Sequence, residues 1–119
     1  MTKLGAIFLC ALVIVGCGTT EKPSDNSSPS TKVVPIVIEV GKVTPQGKRV
    51  EVEVGQNVTL RVTSDSDDEV HVHSSPEREF KISAGMKART FTFSIDTPGQ
   101  VDVESHHLGV TIVQLVVRP

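Results

Sequence analysis

The stretch Arg49–Ser64, RVEVEVGQNVTLRVTS, decides the fold class. Valine occupies every second position from Val50 to Val54 with glutamate between. Val58, Leu60 and Val62 then repeat the pattern with Thr59, Arg61 and Thr63 between. A period of two buries one face of a strand and wets the other, whereas a helix repeats near 3.6 residues. Gly55-Gln56-Asn57 between the runs has the composition of a turn, so the segment reads as two half-buried strands.

The same β-branched alternation extends outward in both directions. Residues 35–40, 69–73, 79–82, 89–95, 100–105 and 110–117 read as further strands. Gly47, Asp65-Ser66-Asp67-Asp68 and Pro98-Gly99 punctuate them as turns. Seven or eight short strands across residues 33–119, with no helical period between them, predict an all-β fold, a Greek-key β-sandwich of two sheets.

The N-terminus is built differently. Met1-Thr2-Lys3 precedes an apolar run from Leu4 to Val15, too short for the roughly 20 residues that span a bilayer. One basic residue, an apolar core and a small residue before a cut describe a secretory signal. The ending Ile14-Val15-Gly16-Cys17 resembles the lipobox of bacterial lipoproteins. That resemblance implies a signal peptide over 1–16, removed together with Cys10, and lipid attachment at Cys17. Residues 17–32 then form the lipidated cysteine and a Ser-, Thr- and Pro-rich linker that has nothing to bury. Two or more acyl chains hold a protein stably where one does not. The expected place is the extracytoplasmic face of a cell membrane, anchored by lipid. With Cys10 removed and Cys17 acylated, the folded part is left without a thiol for a disulfide, a thiolate metal site or catalysis.

Composition excludes several function classes. Net charge is −2 with both signs scattered, so no basic patch argues for nucleic acid. Tryptophan and tyrosine are absent, which removes the usual stacking platforms. Asp65, Asp67, Asp68 and Glu69 lack the glycine and the distant glutamate of a calcium loop and read as a solvated turn. Serines near histidines occur without a nucleophile elbow, so no enzyme activity is expected.

The order of segments then becomes informative. VEVGQNVTLRVTS is followed by the His-bearing DEVHVHS, by ISAGMKARTFTFSIDTPGQVDVESHH, and by the closing VTIVQLVV. This order resembles the cupredoxin family, with Ala84-Gly85 and Pro98-Gly99 as landmarks around His71. In that family one copper-binding histidine comes from a strand-turn segment, and a later strand ends in a cysteine followed by a histidine and a methionine. Carried over, the resemblance puts His71 on the first histidine and His107 on the loop histidine. With Val101 and Val103 inward, Ser105 falls on the cysteine and Val110 on the methionine. A blue-copper site needs the thiolate, so the resemblance implies a domain that cannot form one.

What remains is a histidine set. His71 and His107 are the principal candidate ligands, with His73, His106 and Glu104 as auxiliaries. Imidazoles with a carboxylate suit copper or zinc, and the affinity order of divalent first-row metals peaks at copper. Alternation within Glu69-Val70-His71-Val72-His73 competes with this reading. If the valines face the core, the histidines face solvent, whereas the cupredoxin registration turns His71 inward. Two functions stay open: a membrane-tethered metal-binding module, and a metal-free sandwich serving as an interaction or structural module of the cell envelope. The domain is expected to be a monomer, with an envelope protein as a further partner through its sheet edges.

Overall fold

The computed structural model describes residues 29–119, so the signal peptide, Cys17 and most of the linker lie outside the described residues. The domain contains nine strands: β1 (Lys32–Glu39), β2 (Lys42–Thr44), β3 (Lys48–Glu53), β4 (Val58–Ser64), β5 (Asp68–Val72), β6 (Arg78–Ile82), β7 (Met86–Phe93), β8 (Gly99–Ser105) and β9 (Val110–Arg118). They form a four-stranded sheet in the order β2-β1-β4-β7 and a five-stranded sheet in the order β3-β9-β8-β5-β6. The all-β sandwich expected from the sequence is therefore present. The short strand β2 is the addition to the eight runs read from alternation.

Burial follows the period of two. Ile36 and Ile38 of β1, Leu60 and Val62 of β4, Val70 and Val72 of β5, and Val103 of β8 are closed to solvent. Sheets stacked about 10 Å apart leave room for one interdigitated apolar layer. In β9 both Ile112 and Val113 are buried, because the β8–β9 register shifts between Val103 and Glu104. That irregularity lets the end of β9 change face at the turn His106–Gly109.

The chain crosses between the sheets rather than winding each in turn. β1 runs parallel to β4, pairing Lys32 with Val58 and Ile38 with Ser64. β3 runs parallel to β9 in the other sheet. Lys32, where the chain enters β1, and the turn after β3 share one end of the sandwich, tied by Lys32 N–H donating to Asn57 O at 2.8 Å. The turns after β1, β4, β6 and β8 gather at the other end. There Asp65 N–H donates to Ile38 O at 3.0 Å, Gly85 N–H to Ser64 O at 2.9 Å and Ala84 N–H to Asp67 Oδ1 at 2.8 Å.

Candidate metal centre

Strand β5 carries the centre of the site. Val70 and Val72 are fully buried, so alternation sends Glu69 and His71 to the outer face of the five-stranded sheet. His71 therefore does not turn inward as the cupredoxin registration requires, a correction that follows from the valines' hold on the core. The pairing partners of His71 are Glu79 on β6 and Glu104 on β8. Cross-strand neighbours stand about 5 Å apart, which brings carboxylates to the imidazole from both sides.

Around His71 the donor set is dense. Its Nε2 donates to Glu69 Oε1 at 2.5 Å, and its Nδ1 lies 3.6 Å from Glu77 Oε1. One ligand atom from each of Glu69, His71 and Glu79 lies within 4.8 Å of the others, the convergence a single cation needs. His106 stacks on the His71 ring with centroids 4.9 Å apart. His73 follows in sequence, its Nε2 donating to Glu104 Oε2 at 2.9 Å and its Nδ1 lying 3.4 Å from Glu77 Oε1. The His71 side chain is 15 % exposed and that of His73 is 44 % exposed, so the first is sheltered by its neighbours and the second is wet.

The electrostatics favour a cation. The hydrogen bond that His71 donates to Glu69 raises the His71 pKa above the ordinary imidazole value; partial burial opposes it, and the charges of Glu79, Glu69 and Glu77 add to it. The sign of the pH dependence follows. In the metal-free protein the His71–Glu69 pair contributes stability that is fully present below the unfolded imidazole value of about 6.5 and is lost as pH rises through the raised folded value.

Of the histidines read from the sequence, the structure thus gathers His71, His73 and His106, together with Glu104, on one face. His107 does not belong to the converging group. Its backbone N–H donates to Asp68 Oδ1 at 2.9 Å, and its side chain is exposed at the turn. The structure places His71 on the outer face of β5 and His107 in the exposed turn after β8. Glu69, Glu77 and Glu79 were not selected by sequence reasoning. Closing residues 69–82 into an antiparallel hairpin, with Val72 opposite Arg78, sets Glu79 opposite His71 and would have found it.

The inward position at the end of β8 is also occupied by a polar pair. Ser105 is 1 % exposed, as parity placed it, and its Oγ donates to Asp68 Oδ2 at 2.5 Å. Asp68 is itself buried, and its Oδ1 accepts from the backbone N–H of Glu69 at 2.7 Å as well as from His107. Leu108 N–H donates back to Ser105 Oγ at 3.1 Å. Asp68 is therefore no part of a solvated turn. It is the polar group that faces Ser105 across β5 and β8, and together they pin the turn His106–Gly109.

Comparison with solved structures identifies the architecture. Auracyanin A, a blue copper protein from the bacterium Chloroflexus aurantiacus, matches with a TM-score of 0.56 at 15 % identity, over 75 % of this chain and 100 % of that one. The chain has a cupredoxin-like fold. A Cu(I) form and an oxidised form of amicyanin point mutants match with a TM-score of 0.51 at 18 % identity, over 78 % of this chain and 87 % of theirs. No family model and no curated protein match the sequence. Within this cupredoxin-like sandwich the histidine and glutamate cluster lies on the outer face of a sheet, while the Asp68–Ser105 pair closes the end of the core.

Proposed function

We propose that the protein is a lipid-anchored module of the bacterial cell envelope whose cupredoxin-like domain binds a divalent transition metal, copper or zinc, at a non-blue site. The single observation that carries this reading is the convergence of Glu69, His71 and Glu79 within 4.8 Å. His73, Glu77, His106 and Glu104 surround that group as auxiliaries. A nitrogen and two carboxylate oxygens suit copper(II) or zinc(II) and would hold it without a thiolate. Blue-copper chemistry does not fit these residues, because Ser105 stands at the end of β8 and is engaged with Asp68. The module is non-enzymatic and acts on the extracytoplasmic side of a membrane through the lipid at Cys17.

The test is calorimetric titration of the mature chain with zinc(II) and copper(II). The expected result is one ion per chain, with His107→Ala binding like the wild type. Because metal must displace the proton from His71, the apparent affinity is expected to fall by up to about tenfold per pH unit once pH drops below the raised His71 value. That fall begins at a higher pH than for an ordinary imidazole. A second reading, a metal-free interaction module, draws support from the carboxylate partners that His71 and His73 already have. Absence of heat at pH 8 would favour it and sink the first.

A further inference from the structure

The two outer faces of the sandwich carry opposite character. The five-stranded sheet presents Glu69, Glu79, Asp102 and Glu104 around its histidines, with Lys81 opposite Glu69. The four-stranded sheet presents threonines and cations instead. Thr59, Arg61 and Thr63 alternate outward on β4, Thr90 and Thr92 do so on β7, and Lys42 lies exposed on β2. Glu39 and Asp65 stand at the turn end of this face, where an Asp65 oxygen is engaged by Val40 N–H at 2.9 Å.

The same face carries the domain's uncovered hydrophobics. Among the described residues the exposed large apolar side chains are Val33 at 50 %, Val37 at 37 % and Val40 at 88 %, all on β1 or the turn that follows it. Val40 holds this position with a positive φ of 51°, a conformation a β-branched residue adopts rarely. An open groove beside β1 is lined by Val33, Pro35 and Val37 and edged by Lys32 and by Lys48, Arg49 and Glu51 of β3, the last engaged by Arg118, so cations are in excess along its rim. Apolar side chains rimmed by cations are the composition that adsorbs to negatively charged lipid headgroups.

We propose that this face, carried by β1 and β4, docks on an anionic phospholipid surface. Chain order agrees: β1 begins at Lys32, 15 residues after the cysteine that the lipid-anchored reading acylates. Docking there turns the five-stranded sheet, with His71, away from the membrane. An added protein strand fits here less well, because β1 already pairs with β4 along its length and with β2 over Val37–Glu39, and Pro35 lacks an N–H. The orientation rests on the lipid-anchored reading; the character of the face does not.

The test uses the mature chain with Cys17→Ser, which carries no lipid, sedimented with vesicles of phosphatidylcholine alone or mixed with phosphatidylglycerol. Binding is expected to the mixed vesicles and to weaken with salt. Arg61→Glu and Lys42→Glu are each expected to weaken it about tenfold, while Lys81→Glu on the opposite face leaves it unchanged. Val33→Ser with Val37→Ser weakens it without altering the salt dependence. Equal sedimentation with both vesicle types, or equal loss from Lys81→Glu and Arg61→Glu, would overturn the proposal. Failure of the native chain to incorporate fatty acid would count against the lipid-anchored reading and leave the vesicle result standing.

Discussion

Asp68→Ala is expected to lower the unfolding free energy by about 2–4 kcal/mol, read as a fall in urea midpoint with an unchanged slope. The carboxyl group of Asp68 accepts from Ser105 Oγ, His107 N–H and Glu69 N–H, and its removal strands donors at the closed end of the core. Asp68→Asn keeps one acceptor oxygen and can donate to Ser105, so its cost is expected near 1 kcal/mol. Ser105→Ala falls between them, since it removes a buried hydroxyl and leaves Leu108 N–H and one carboxyl oxygen unpaired. Asp68→Ala and Asp68→Asn costing the same would show that hydrogen bonding at this position contributes nothing.

The second large effect concerns the metal. His71→Ala is expected to weaken zinc(II) binding at pH 8 by roughly 100-fold, because it removes the only nitrogen in the converging group. Glu79→Gln removes one charge from the opposite strand and is expected to cost about tenfold. Their combination is expected to fall short of the product of the two, since both act on one ion. Both substitutions lie on an outer sheet face, so the fold is expected to stay within about 0.5 kcal/mol of wild type after allowance for the lost His71–Glu69 pair. Retention of full affinity in His71→Ala would move the site elsewhere.

Architecture was legible because the physics that selects it is local. Val50, Val52, Leu60, Val62, Val70, Val72, Val101 and Val103 alternate with polar residues, and each is buried. The same parity put Ser105 inward, and it also put His71 outward in competition with family registration. The structure follows parity, because exchanging Val70 and Val72 for Glu69 and His71 would bury unpaired charge. The short strand β2 escaped notice because three residues cannot display a period.

Asp68 was illegible for a different reason. Within Asp65-Ser66-Asp67-Asp68 nothing local separates a buried carboxyl group from a solvated one; its partner Ser105 is 37 residues away in sequence. Glu79 was hidden likewise, since it meets His71 only through the β5–β6 register, whereas Glu104, already read as an auxiliary, meets it through the β5–β8 register. Long-range pairing thus assembles both polar features, one inside the core and one outside it. The result is a cupredoxin-like frame in which the buried end is closed by hydrogen bonds, while the histidines collect on the sheet surface.

That separation is tested most directly by adding copper(II) to the mature chain and recording its absorption and electron paramagnetic resonance. The account predicts a weakly coloured, non-blue copper centre with nitrogen coupling that disappears in His71→Ala and persists in His107→Ala. An intense blue absorption, or nitrogen coupling lost in His107→Ala and kept in His71→Ala, would contradict it.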